Sequence, residues 1–291
     1  MSTPLVSTLL ASLALSLSAS ALAAPPLTLD AYNPGHEAIF PVSSVLVTGE
    51  HESLLIDAQF GKGQAEKLVE KVKRSGKPLK RIYISHGDPD YYFGLDTLVD
   101  AFPDVEVLAS APTVEHIQHT MKDKLAYWGP KLGADAPRRL IVPKVLKGNR
   151  LELEGQALEV VGLDGPQPDR SFVWIPSIKA VVGGVVLANN QHVWMADTQS
   201  AQSHQDWLGT LARIESLKPS VIVPGHALPG PRTSAESPAF TAGYIRAFDQ
   251  EAARSQDANA LIEAMKTRYP DLGEVSSLEL SAKVAKGEMA W

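Results

Sequence analysis

Three side chains that can bind a metal ion or transfer protons lie within five residues of one another, directly after a short apolar run. From Ser85 the sequence reads SHGDPD, which places His86, Asp88 and Asp90 at alternate positions. In a loop, this spacing can direct several side chains to one point, and histidine with carboxylates suits zinc or a similar divalent ion. The alternative is an Asp-Pro turn in which Asp90 caps the next helix, and spacing alone favours that turn.

The segment resembles the signature of the metallo-β-lactamase superfamily, H-x-H-x-D-H followed closely by glycine at the end of a strand. His86 and Asp90 match the first histidine and the aspartate of that signature, and Gly94 matches the glycine. Asp88 stands where the second histidine is expected, and Tyr91 stands where the third belongs.

Further landmarks of the family follow in the same order along the chain. An early strand that ends in aspartate matches the run ending at Asp57, and a late strand that ends in Gly-His matches the run ending at His226. Between them, residues 172–176 followed by residues 181–184 look like the family's paired strands. The resemblance implies an α/β fold, a four-layer αββα sandwich, in one domain of residues 24–291 with a helical C-terminal extension.

The same alignment implies that part of the family's metal centre is lost. Family members place two metals around a bridging aspartate, and Val185 stands at that position; Pro166 stands at a further histidine position. Neither side chain can bind a metal. The resemblance therefore implies one ion of zinc or another divalent metal rather than two, or none. Its ligands would be His86, Asp88, Asp90 and His226.

Two functions are open on this reading. In the first, the chain is a hydrolase whose metal activates water to cleave an ester, lactone, amide or related bond, with Asp88 or Asp90 as base if it is not a ligand. In the second, it is a binding or scaffold protein that has lost the metal centre. The surviving ligands favour the hydrolase slightly, and either function implies a small-molecule substrate or ligand.

Other side chains are expected to surround the centre or to be uninvolved. Tyr91, Asp57 and His192 are possible pocket residues, although His192 is equally well explained as a surface histidine. His116 and His119 lie three residues apart on a predicted helix, without a third ligand nearby, and are expected to be solvated.

The elements that must position these residues can be read from apolar periodicity. Residues 81–85 form a strand that leads into His86, and residues 44–48 and 53–57 form a β-hairpin. Helices are predicted from about residue 113 to 127 and over residues 203–217, and the part from about residue 235 is mostly helical.

Composition excludes several classes of function. The formal net charge of −6 leaves no basic excess for binding nucleic acid. The absence of cysteine rules out thiol nucleophiles, disulfides and thiolate metal ligands.

The N-terminus predicts export. Residues 5–23 are apolar and small, no charged side chain precedes Asp30, and the run ends in Ala21-Leu22-Ala23. This pattern is typical of a secretory signal over residues 1–23, with a membrane anchor as the alternative. We expect a mature chain that begins near Ala24, is periplasmic or secreted, and has no membrane partner.

Overall fold

The computed structural model describes residues 25–291, so the predicted signal segment lies outside the described residues. Within residues 25–291, no helix combines the length and the apolar character that crossing a membrane requires.

The strands are short and rich in valine, leucine and isoleucine. In chain order they are β1 (Thr28–Tyr32), β2 (Ser44–Thr48), β3 (Ser53–Ile56), β4 (Leu79–Ile84), β5 (Glu106–Ala109), β6 (Lys144–Val145), β7 (Arg150–Leu153), β8 (Gln156–Val161), β9 (Phe172–Ile175), β10 (Ala180–Val182), β11 (Ala188–Asn189), β12 (Val221–Ile222) and β13 (His226–Ala227).

The helices follow the strands or close the chain. They are α1 (Lys62–Ser75), α2 (Pro89–Tyr92), α3 (Leu95–Ala101), α4 (Ala111–Leu132), α5 (Ala201–Ser216), α6 (Ser237–Arg254), α7 (Ala258–Arg268) and α8 (Val275–Ala285).

Two sheets form the centre of the described residues. In the first, β1 to β6 lie side by side in chain order, antiparallel up to β3 and parallel from β3 onward. The second has the order β12-β10-β9-β8-β7, and β11 pairs with β13 in a separate parallel ribbon.

Successive side chains of a strand point to opposite faces of the sheet, so each strand contributes to two different hydrophobic cores. In β2, Val45 and Val47 join a core that also contains Val173 and Ile175 of the second sheet. Leu46, between them, belongs instead to the core under α1, α3 and α4.

The outer face of the second sheet packs on α5 to α8. Helices therefore cover both outer faces of two packed sheets, which confirms the predicted αββα class.

Local differences from the sequence prediction have identifiable causes. The hairpin forms as predicted, but α4 extends on both sides, from the side-chain cap at Ser110 to Gly133, whose φ is +57°. The apolar run of residues 139–145 forms a strand only over its last two residues, because Pro143 lacks the N–H that a sheet ladder needs. Strand β1 was not predicted; its burial alternates weakly and its side chains are mostly exposed.

Candidate active site

Asp57 links the residues that follow three strands, β3, β4 and β10, through hydrogen bonds. Its Oδ1 accepts a hydrogen bond from the backbone N–H of Ser85 at 2.8 Å, and its Oδ2 accepts one from the Ser85 hydroxyl at 2.6 Å. That hydroxyl in turn accepts from the backbone N–H of Gly184 at 2.7 Å. Asp57 is fully buried, and burial raises its pKa to about 7. It supports the loop after β4 and is not among the residues that line the pocket above that loop.

The loop after β4 and the ribbon strand β13 meet at one place. His86 Nε2 lies 3.1 Å from Oδ2 of Asp88, and His226 Nε2 lies 3.3 Å from Oδ2 of Asp90. The other nitrogen of His86, Nδ1, lies 3.1 Å from the backbone carbonyl of Asp169. The four residues that sequence analysis named as metal ligands are thus brought together, but as two separate histidine–aspartate pairs.

Tyr91 packs against both imidazoles. Its ring centroid lies 5.2 Å from that of His86 and 5.6 Å from that of His226, each edge to face. The side chain is fully buried, and its hydroxyl donates to the carbonyl of Gly184 at 3.4 Å. A phenol ring therefore occupies the third-histidine position of the family signature and fills space against both pairs.

Asp90 does not cap a helix, although the alternative interpretation of this segment expected it to cap the next one; the N-cap residues of α2 and α3 are Asp88 and Gly94. Asp88 is the N-cap residue with an extended backbone, but its side chain makes no cap hydrogen bond. Asp90 lies inside the first turn of the helix. Both carboxylates turn toward the histidines instead.

Helix α4 contributes two residues that sequence analysis did not assign to the site. The Lys124 ammonium lies 3.4 Å from Oδ1 of Asp88, and His116 Nε2 lies 3.8 Å from the same oxygen. His116 is half-buried against the loop, contrary to the expectation that it is solvated, whereas His119 is exposed. A signal was present: positions 116 and 124 are eight residues apart, about two helical turns, and share one side of the helix.

Burial and neighbouring charges set the protonation states. Burial raises the pKa of Asp88, but the charges of His86 and Lys124 outweigh burial and hold it well below its usual range. Burial, and then the charge of Asp88, raises the pKa of Asp90 to about 8. Burial lowers the pKa of His226 to about 4. Near pH 7, Asp88 is therefore a carboxylate facing cations, while Asp90 and His226 are a neutral pair.

This arrangement does not fit a resident metal ion. Among residues 25–291, no three histidine or carboxylate side chains converge closely enough to hold one. The ammonium of Lys124 already compensates Asp88, and Val185, at the family's bridging-aspartate position, presents methyl groups to the cavity.

A pocket opens directly above the two pairs. It encloses about 610 Å³ of space, a figure that includes the open mouth and the solvent in it. Its walls combine aromatic and aliphatic groups with a few charged ones: Phe40, Asp88, Pro89, Asp90, Lys124, Trp128, Val185, Ala188, Gln191, Val193, Trp194, Asp197, His226, Ser277 and Trp291.

The mouth of this pocket is formed by Trp194, Trp291 and Asp197. Each oxygen of the Asp197 carboxylate accepts a hydrogen bond from one indole N–H, at 2.6 Å in both cases. The two indole rings meet edge to face, with centroids 5.2 Å apart. Nothing in the spacing of these residues along the sequence indicated that they would share one rim.

Two further positions lie away from the pocket. His192 is buried, with Nδ1 3.0 Å from the Tyr244 hydroxyl, and burial lowers its pKa to about 4. Its neighbours Gln191 and Val193 line the pocket, but His192 itself does not. Pro166 is exposed on the loop before β9.

Comparison with known proteins agrees with this architecture. Residues 39–226, more than half of the chain, match the sequence model of the metallo-beta-lactamase superfamily. The chain belongs to the metallo-β-lactamase superfamily. Among solved structures, a metallo-beta-lactamase from Pontibacter korlensis superimposes with a TM-score of 0.54 at 20% identity, covering 76% of this chain and 95% of that one. The DIM-1 metallo-beta-lactamase superimposes with a TM-score of 0.53 at 17% identity, covering 77% and 98%. At these identities the likeness shows the fold alone.

A curated relative matches a short stretch only. The uncharacterized protein YobT of Bacillus subtilis (strain 168) is 40% identical over 73 residues, which are 25% of this chain and 31% of that protein. The matched stretch spans about a third of that relative's length.

Proposed function

We propose that this member of the metallo-β-lactamase superfamily binds a small organic molecule in the pocket above the His86 and His226 pairs, without a resident metal ion. The observation that carries the proposal is the ion pair between Lys124 and Asp88. A buried carboxylate needs a compensating positive charge, and here an ammonium of the chain itself supplies that charge. The packing of Tyr91 against both imidazoles supports the same reading.

The chemistry of the pocket suits binding. Aromatic and aliphatic walls provide contact area, and a small number of fixed polar groups provide orientation, as is usual for small-molecule sites. Trp194 and Trp291 are held by Asp197, so the mouth is preformed and a ligand loses little free energy in ordering it.

Metal content tests this proposal directly. Protein purified without chelators and incubated with zinc, manganese or iron is expected to retain less than about a tenth of an equivalent by elemental analysis. Stoichiometric metal that is lost in His86→Ala and in His226→Ala would overturn the proposal. His119→Ala, at an exposed position on α4, is the matched control.

A metal-dependent hydrolase is the second candidate, favoured by one observation: three of the residues named as ligands, Asp88, Asp90 and His226, line the pocket, and the fourth, His86, contacts Asp88. Such an enzyme would hold one zinc or other divalent ion on His86, Asp88, Asp90 and His226. It requires Lys124 to leave Asp88 and the two pairs to converge, which is not the arrangement described above. Metal-stimulated cleavage of ester, lactone or amide substrates, together with bound metal, would favour this candidate.

We also propose that the chain is exported and acts in the periplasm or outside the cell. The support is the apolar, small-residue N-terminal run that ends at Ala23. N-terminal sequencing of protein recovered from the periplasmic fraction or the medium is expected to begin near Ala24. Protein that retains residues 1–23 and sediments with membranes would contradict cleavage.

A further inference from the structure

The charges that line the pocket do not balance. Asp90 is neutral near pH 7, so the lining carboxylates are those of Asp88 and Asp197, whereas Lys124 is the single lysine or arginine among the lining residues. Lys124 is already engaged with Asp88. Asp197 accepts hydrogen bonds only from indole N–H groups in the described residues, and no lysine or arginine there lies within ion-pair distance of it. The charges of Lys124 and of the buried Arg170 act on it from farther away, while burial raises its pKa.

The aromatic side chains form a continuous wall beside these carboxylates. Phe40 contacts Trp128 and Trp194 edge to face, with ring centroids 5.0 Å and 6.0 Å apart, and Trp194 in turn contacts Trp291. Indole faces attract cations through the ring quadrupole. This wall already does so, because the Lys124 ammonium lies 5.0 Å from the centroid of the Trp291 ring.

An unused acceptor lies in the same wall. The side chain of Gln191 lines the pocket and is 4% exposed, and its Oε1 has no hydrogen-bond partner among residues 25–291. A buried acceptor without a donor is costly, and such a group in a pocket indicates a ligand that can donate.

From the Asp197 carboxylate at the mouth, the indole wall and the unpartnered amide, we propose that the ligand is an organic cation, an amine or guanidine carried on an apolar or aromatic body. The positive group lies at the mouth, against Asp197 and the indoles of Trp194 and Trp291. The body packs on Phe40, Trp128 and Val185. This inference rests on the proposed function, because it names the class of ligand for the same pocket.

Three probes of nearly the same shape test the sign of the charge. They are 2-phenylethylamine (cationic), 2-phenylethanol (neutral) and 3-phenylpropanoate (anionic), titrated into the wild-type protein while tryptophan fluorescence is followed. None of them absorbs where indole is excited, and three indoles line the pocket. The amine is expected to bind at least about tenfold more tightly than the other two, a difference typical of one close charge interaction.

Two variants test where the positive group of the amine probe binds in the pocket. Asp197→Asn is expected to weaken amine binding about tenfold, whereas Asp123→Asn, at an exposed position on α4, leaves it unchanged. Lys124→Met removes a like charge and is expected to strengthen amine binding about threefold to tenfold, with Lys122→Met on the exposed side of the same helix as control. The second variant keeps the test decisive if Asp197→Asn does not fold.

Each alternative result overturns the inference. If the alcohol or the carboxylate binds as well as the amine, or if none of the three binds at millimolar concentration, the cationic class is wrong. The proposed function fails by a different measurement, stoichiometric metal in the purified protein, so the two failures are distinguishable.

Discussion

The ammonium of Lys124 and the carboxylate of Asp88 are 3.4 Å apart, and Asp88 stands where the sequence resemblance to the metallo-β-lactamase signature places the second histidine. An exchange of histidine for aspartate at that position changes a neutral ligand into an anion. Lys124, from the distant helix α4, neutralises the anion. The two residues therefore form one ion pair, in which the ammonium of Lys124 compensates the charge of Asp88 as a bound metal ion would.

Removing this cation is expected to make the site more receptive to metal. In Lys124→Met, Asp88 keeps its charge but loses its ammonium partner, so any divalent cation is attracted more strongly. We expect the zinc affinity, measured by competition with a metal-binding dye, to rise about tenfold or more over wild type. Lys122→Met, exposed on the same helix, is expected to have no effect.

An unchanged zinc affinity in Lys124→Met would contradict the claim that the ion pair between Lys124 and Asp88 takes the place of a metal ion. It would mean that the arrangement of Tyr91 and the two histidine–aspartate pairs alone decides whether metal binds, and that the ion pair is incidental.

The sequence was sufficient to predict the fold class and the convergence of distant segments. Three short motifs can be recognised in a single sequence: the strand that ends at Asp57, the segment that begins at His86 and the strand that ends at His226. The geometry of a metal site cannot be predicted from the same residues, because residue type does not determine which partner each side chain contacts. His86 pairs with Asp88 and His226 with Asp90.

Most residues missing from the sequence-based site come from segments whose local pattern has no chemical signature. Lys124 shares one side of α4 with His116, but helical spacing alone does not show that this side faces the site. Trp194, Asp197 and Trp291 meet only because the chain folds back over the pocket. Such a rim depends on tertiary packing and could not be read from periodicity. The extent of a single domain over residues 24–291 remains a prediction.

Tyr91 is expected to be a major packing residue. Its side chain is fully buried and contacts both imidazoles, so Tyr91→Ala leaves a cavity in the floor of the pocket. The free energy of unfolding in denaturant should fall by about 3–5 kcal/mol. Tyr127→Ala, at a position 41% exposed, should cost less than about 1 kcal/mol. A loss below about 1 kcal/mol in Tyr91→Ala would show that this space is open to solvent.

His192 is expected to make stability depend on pH. Its pKa in the folded chain is about 4, below the ordinary value of 6.5, because burial disfavours the imidazolium. Above pH 6.5 the group is neutral in both the folded and the unfolded chain. Between pH 6.5 and about 4 the unfolded chain binds the proton more readily, so stability falls as the pH falls.

The size of this effect follows from the difference between the two pKa values. From pH 7.5 to pH 5 we expect a loss of about 2 kcal/mol from this residue. The measurement compares urea unfolding at the two pH values for wild type and His192→Asn, in which this part of the loss should disappear. His119→Asn, at an exposed position, should retain it. Equal pH dependence in wild type and His192→Asn would contradict the assignment.

Gly225 is expected to tolerate no side chain, which explains why a glycine precedes His226. A Cβ at this position would lie 2.0 Å from the carbonyl oxygen of Gly184 and 2.8 Å from the hydroxyl of Tyr91. In Gly225→Ala the backbone that carries His226 must therefore move away from Gly183 and Gly184, the two glycines that follow β10. We expect a loss of about 3 kcal/mol or more, since overpacking against backbone cannot be relieved by a rotamer change. Gly209→Ala in α5, where a Cβ meets nothing within 4 Å, should instead gain roughly 0.5–1 kcal/mol from helix propensity. If both variants gain stability, the close approach of residues 184 and 225 does not exist in solution, and the pairing of His226 with Asp90 loses its structural basis.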